Sequence, residues 1–128
     1  MDVPILKQGD YLIASILGAL TDTALTRLQE NLVRSVRQYR SKGVVIDVTV
    51  LDVMDSFAAR TLRAITVMTR LLGAKVVIVG IQPEIAFSMV QLGLNLEGAL
   101  TALDLEDGLA LLKAADKKEQ DGFRRHGR

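Results

Sequence analysis

The chain has 128 residues with no Cys, no Trp and a single His, which excludes disulfide scaffolds, iron–sulfur centres, thiol catalysis and Cys-based zinc sites. Sixteen Lys and Arg against fifteen Asp and Glu leave a net charge of +1, a balance that does not favour electrostatic capture of nucleic acid or acidic membranes. Hydrophobic types make up 49%, enough at this length for one domain with an aliphatic core.

In chain order, residues 4–8 and 11–17 read as two strands meeting at a Gly9-Asp10 hairpin. Thr21 or Asp22 then caps a helix over 23–41, whose apolar stripe is Leu25, Leu28, Leu32, Val36 and Tyr39 and whose stop is Gly43. Residues 44–48, Val-Val-Ile-Asp-Val, form a continuous β-branched run of the kind that is buried on both faces. An acidic loop over 49–55 leads into a second helix over 56–72, with Ala58, Leu62, Ile65, Thr69 and Leu72 facing inward and Gly73 ending it. A second buried-type strand covers 75–79. Gly80-Ile81-Gln82-Pro83 turns into a third helix with Pro83 near its first position, ended by Gly93. Residues 99–102 are a short strand. A last helix runs to about Ala115, with Asp104, Glu106 and Asp107 at the positive end of its dipole.

The order β-β-α-β-α-β-α-β-α fits a single α/β domain over 1–115. Its sheet is mixed and mostly parallel, with an N-terminal antiparallel hairpin strand and four helices. The order of the strands is not legible. Residues 116–128 are polar and read as a flexible C-terminal tail. The opening Met-Asp-Val-Pro lacks the basic and apolar regions of a secretory signal, and no run reaches the length of a spanning helix, so a cytoplasmic location is expected.

The informative stretch runs from Asp47 to Arg60, from the end of a buried strand through an acidic loop to a helix start. Loops at the carboxyl ends of parallel strands are where α/β domains place function. Ser56 stands where the helix begins. A Ser there serves as an N-cap, and Asp55 can do the same work. The alternative is that Ser56 is a phosphoacceptor, because free backbone N–H groups and the dipole at a helix start accommodate a phosphate. Arg60 follows one turn later. Ser56, Arg60, Arg63, Val67 and Arg70 share a stripe opposite the apolar one, either a solvated face or a docking face with Phe57 and Val67 as apolar contacts. Asp47, Asp52 and Asp55 lack the ligand density of a calcium loop and read as an acidic rim. No phosphate-binding Gly motif occurs, Ser56 has no nearby His as a base, and the basic Arg124-Arg125-His126 reads as solvated.

Asp47-x-Thr49, followed six residues later by Asp55-Ser56 at a strand-to-helix junction, resembles the STAS domain of anti-anti-sigma factors. Pro4-Ile5-Leu6-Lys7, Gly43-Val44-Val45-Ile46-Asp47, Gly73-Ala74-Lys75-Val76-Val77, Gly80-Ile81-Gln82-Pro83 and Thr101-Ala102-Leu103-Asp104-Leu105-Glu106 look like its stressosome branch, over roughly residues 3–113. Where anti-anti-sigma factors often continue Asp-Ser-Ser-Gly, this chain has Asp55-Ser56-Phe57-Ala58. The resemblance implies phosphorylation at Ser56, beside Asp55 and with Asp47 and Thr49 at the matching upstream positions; with the acidic loop and the outward helix face, the expected supporting shell is Asp47, Thr49 and Asp52 and the expected partner contacts are Asp55, Phe57, Arg60, Arg63 and Val67. The resemblance also implies a non-enzymatic scaffold without metal or cofactor. The expected partners are an RsbT-like serine kinase, RsbR-like STAS proteins in a large assembly, an RsbX-like phosphatase and further copies of the chain itself. Two alternatives stay open: an anti-anti-sigma factor that binds an anti-sigma kinase, and a STAS module that binds a small ligand.

Overall fold

The computed structural model describes the backbone of residues 2–126 and the side chains of residues 2–119. Nine elements follow in order: β1 (Ile5–Gln8), β2 (Tyr11–Ser15), α1 (Asp22–Tyr39), β3 (Gly43–Asp47), α2 (Ser56–Leu71), β4 (Lys75–Val79), α3 (Pro83–Gln91), β5 (Leu100–Ala102) and α4 (Leu105–His126). One sheet holds all five strands in the order β1-β2-β3-β4-β5. β1 pairs antiparallel with β2, and the other pairings are parallel. The antiparallel pair closes through Gly9, whose φ of +59° supplies the left-handed turn position that a two-residue hairpin needs.

Two cores lie on the two faces of the sheet. On one, α1, α2 and α3 place Leu28, Leu32, Leu62, Ile65 and Ile85 against Leu12, Ala14, Val44, Ile46, Val76 and Ile78. All three crossover helices on one face is the outcome of a uniform crossover hand between adjacent parallel strands. On the other face α4 stands alone, with Leu112 against Tyr11, Ile13, Val45, Val77 and Val79. β3 and β4 are therefore buried on both sides, which is why they read as unbroken β-branched runs. Leu32 and Leu62 are fully buried, and truncating either to Ala costs about 2–5 kcal/mol.

Several boundaries differ from the sequence expectation, and β2 ends at Ser15 rather than at residue 17. α1 ends at Tyr39, and its turn is made by Arg40 in the left-handed region (φ 49°), with Ser41 N–H donating to Val36 C=O at 3.1 Å. Gly43 is thus not the stop. It opens β3 under Leu112, where a Cβ would lie 3.0 Å from both terminal methyls. Tyr39, expected on the apolar stripe, is exposed beyond the end of the core, with Lys7 Nζ 6.0 Å from its ring centre. Leu72, expected inward on α2, is exposed at that helix's C-cap.

The last helix does not end near Ala115 but continues to His126. Lys42 pairs with Asp116 at 3.6 Å, and Lys75 pairs with Glu119, so the extension is held against the β3 and β4 ends of the sheet. The Lys75 ammonium holds the Glu119 carboxyl below the usual carboxylate range. Gly108 brings the helix close, since a Cβ there would lie 2.6 Å from Val79 Cγ1. The Arg124-Arg125-His126 side chains lie outside the described set. Among the described residues no helix is long and apolar enough to cross a membrane.

At the carboxyl edge of the sheet the chain is cross-tied. Ile16 N–H donates to Asp47 C=O at 3.0 Å, Val48 N–H to Val79 C=O at 3.0 Å, and Gly80 N–H to Ala102 C=O at 3.2 Å. Gly80 has φ +79°, and a Cβ built on it would lie 1.9 Å from Thr49 Oγ1 and 2.9 Å from Thr49 Cα. Only a glycine lets the β4–α3 turn lie against the β3–α2 loop. Gly73 offers the control, because it has φ +92° with no atom within 4 Å of a would-be Cβ. Gly73→Ala is expected to cost about 1–2 kcal/mol from strain alone. Gly80→Ala is expected to cost about 3 kcal/mol or more. Urea denaturation of the two variants tests this, and equal midpoints would show that the Gly80–Thr49 approach contributes nothing.

Candidate functional site

The loop from β3 to α2 is built from a few fixed points. Asp47 Oδ1 accepts hydrogen bonds from Thr49 N–H (3.0 Å) and Thr49 Oγ1–H (2.6 Å), an Asx-type turn that folds the chain back at the strand end. Gln82 Nε2 donates to Thr49 C=O at 2.6 Å, tying the same residue to the β4–α3 turn. Leu51 and Met54 are buried in the main core and pin the middle of the loop. Between these anchors Val50, Asp52, Val53 and Asp55 face solvent.

Asp55 makes the helix start. It has extended backbone (φ −82°, ψ 177°), and its Oδ1 accepts from Ala58 N–H at 2.7 Å. Its C=O accepts from Ala59 N–H at 3.0 Å, the first helical bond of α2. Of the two possible caps, Asp55 is the one used. Ser56 is consequently the first helical residue, half-buried, and its hydroxyl takes no part in the cap. The amides of Ser56 and Phe57 precede the first intrahelical donor, so they stand at the positive end of the helix with no backbone partner inside it.

Along α2 the stripe named from the sequence does face outward. Arg60 and Arg63 are exposed, Val67 is 47% exposed and Phe57 36%. Neither Arg60 nor Arg63 forms an ion pair among the described residues. Arg70 is different. Its Nη1 lies 2.6 Å from where a Cβ on Gly98 would be, so its guanidinium rests against the glycine backbone of the α3–β5 loop.

Asp47 and Thr49 belong together, but as the lock of the loop, with their polar atoms turned on each other. Asp52 and Asp55 are the carboxylates left on the outer surface beside Ser56. Among the described residues no group of three acidic or His side chains could hold a metal ion. The sequence reading missed Val50 and Val53. Val53 is 74% exposed and Val50 is also open to solvent, so the loop that carries Ser56 has an apolar rim. The signal was present in Val50-Leu51-Asp52-Val53-Met54, which holds more apolar residues than a short loop can turn inward. Val50 and Val53, with Ala19 and Leu20 of the β2–α1 loop, line a cleft of about 130 Å³ that also takes in Asp52 and Asp55.

Comparison with known proteins places this geometry. The family model of the STAS domain matches residues 2–107. The RsbT co-antagonist protein RsbRA of Bacillus subtilis (strain 168) is 34% identical over 107 residues, which is 83% of this chain and 39% of that protein. The chain therefore spans well under half the length of that relative. RsbS of Moorella thermoacetica, solved as a Ser-to-Glu variant, superposes with a TM-score of 0.80 at 38% identity, covering 90% of this chain and 97% of that one. A chain from the molecular architecture of the stressosome, a signal integration and transduction hub, gives 0.77 at 39% identity, covering 88% and 98%. The anti-sigma factor antagonist SpoIIAA in its unphosphorylated form shares the fold, with a TM-score of 0.64 at 12% identity over 91% of this chain and 97% of that one. With the family model matched across most of its length, the chain belongs to the STAS domain family and is homologous to the RsbR and RsbS proteins of the stressosome.

Proposed function

We propose that the chain is a non-enzymatic scaffold of a cytoplasmic stressosome and an antagonist of an RsbT-like switch serine kinase, released by phosphorylation of Ser56. The observation that carries this reading is the division of labour at the start of α2. Asp55 takes the cap, so the hydroxyl of half-buried Ser56 is left out of it at a helix N-terminus and has no hydrogen-bond partner among the described residues. A phosphate added there meets free amides and the positive end of the dipole, and it need not disturb the fold. The likeness to an RsbT co-antagonist and to a solved RsbS supports the choice of partner class.

The surface around Ser56 accounts for release. An unmodified kinase-docking face offers Val53, Phe57 and Val67 as apolar contacts, with Arg60 and Arg63 beside them. Phosphorylation adds a charge of about −1.5 to −2 next to Asp52 and Asp55. In a partner interface that charge must be desolvated against two carboxylates, and the kinase is driven off. An RsbX-like phosphatase resets the site, and RsbR-like STAS proteins complete the assembly. Nothing in this cycle requires a base, metal or cofactor from the chain itself.

Incubation with the cognate kinase and ATP, followed by intact-mass measurement and site mapping, is expected to give one phosphate, on Ser56. Ser56→Ala is expected to remain unlabelled; labelling equal to the wild type would remove Ser56 from the account. Asp55→Ala is expected to lower stability by about 1 kcal/mol through loss of the cap. It leaves the Ser56 hydroxyl in place, so the variant should still be labelled below its melting temperature.

A further inference from the structure

We propose that the cleft between the C-terminal ends of α1 and α2 is a binding site for a small monocarboxylate with an apolar body. The cleft lies at the amino end of the parallel strands, whereas Ser56 follows their carboxyl end, and the site stands independently of the switch at Ser56.

The cleft measures about 440 Å³ and is walled by Val36, Arg37, Arg40, Ser41, Lys42 and Leu72 among others. That is room for a small organic molecule rather than a lone ion. Three observations set it apart from an ordinary basic surface. Arg40 is the only non-glycine residue with a positive φ among those described, at 49°. Glycine holds such a helix-end position without steric penalty, and a chain that needed only a helix stop would place it there. An arginine at 40 adds a cation to the cleft wall despite the backbone strain. Next to it, Ser41 is 7% exposed, yet its hydroxyl has no hydrogen-bond partner among the described residues. Its amide is already spent on Val36 C=O, so the hydroxyl is the polar group left over at the wall. Finally, neither Arg37 nor Arg40 forms an ion pair among the described residues, and no carboxylate stands in the wall.

Charge selects the class of ligand. Lys42 is answered by Asp10 at 3.8 Å and Asp116 at 3.6 Å, so the uncompensated charge is that of the two guanidiniums. The C-terminal ends of α1 and α2 meet at the same wall. Each end carries about half a negative charge, which leaves a balance of about one positive charge. One carboxylate neutralises that balance. A phosphate dianion overshoots it, and would sit at helix C-termini where such groups favour N-termini. A planar carboxylate also matches the fork of a guanidinium, and the Ser41 hydroxyl supplies a further donor. Leu72, 40% exposed, gives the apolar body of the ligand a surface to cover.

Titration of the full chain with benzoate, followed by proton–nitrogen correlation NMR, tests this. Benzoate is expected to shift the amide signals of Ser41, Lys42 and Gly73 and to saturate with a dissociation constant of about a millimolar or below. The neutral isostere benzamide and inorganic phosphate are each expected to bind at least about tenfold more weakly. Arg40→Gly removes the guanidinium but suits the left-handed backbone. It should unfold in urea at an unchanged or higher midpoint and bind benzoate at least about tenfold more weakly. Arg37→Ala should weaken binding in the same way. Arg34→Ala, which changes an exposed arginine of α1 outside the cleft wall, should not. Shifts that fail to saturate, or that persist undiminished in Arg40→Gly, overturn the site. Benzamide or phosphate bound as tightly as benzoate overturns the ligand class.

Discussion

The candidate site depends on the contact between Gly80 and Thr49. The β4–α3 turn can lie flat on the β3–α2 loop only because residue 80 has no side chain and adopts φ +79°. That contact and the Gln82–Thr49 hydrogen bond fix the start of the loop; Leu51 and Met54 fix its middle, and Asp55 fixes its end. Ser56 is thus presented at the first position of α2, directly after a braced loop. A modification placed there meets a surface whose shape is set in advance, and the effect of the added charge is carried by electrostatics and desolvation at the surface.

The same arrangement separates residues that the sequence alone groups together. Asp47, Asp52 and Asp55 look like one acidic cluster on paper. In the fold they do three things: Asp47 closes the turn with Thr49, Asp55 caps α2, and Asp52 stands in solvent. A cap at Asp55 occupies the Ala58 amide and leaves the earlier amides open, which is the geometry a neighbouring phosphate needs. Had Ser56 been the cap, its hydroxyl would have been engaged in the helix start and less available to a kinase.

Much of the fold was legible because the patterns had a physical cause. The two central strands are buried on both faces by helices, hence the unbroken Val and Ile runs at 44–48 and 75–79. Helices α1 and α2 show their stripes because one side of each meets the main core. Strand order was hidden, since it depends on which faces pack together over long range. Tyr39 sat at the right spacing but past the end of the core, and periodicity carries no information on where a core stops. Arg40 took the left-handed turn that Gly43 was expected to supply, because Gly43 was needed under Leu112. The continuation of α4 past Ala115 was obscured by its polar composition; its ties, Lys42–Asp116 and Lys75–Glu119, join residues far apart in the chain. Around the candidate site, the helix start at Ser56 and the outward arginine stripe were readable from position and charge, whereas the choice of Asp55 over Ser56 as the cap was not. Val50 and Val53 were not, because an apolar residue beside a buried Leu51 and Met54 reads as core until the loop's path is known.

The central claim is that a single phosphate on Ser56 changes what the chain holds. The direct measurement is the affinity of a purified RsbT-like kinase for the unmodified chain and for the same chain phosphorylated stoichiometrically at Ser56, under identical salt. The account predicts binding at least about tenfold weaker after phosphorylation, from like-charge repulsion and desolvation beside Asp52 and Asp55. Equal affinity for the two forms would contradict it.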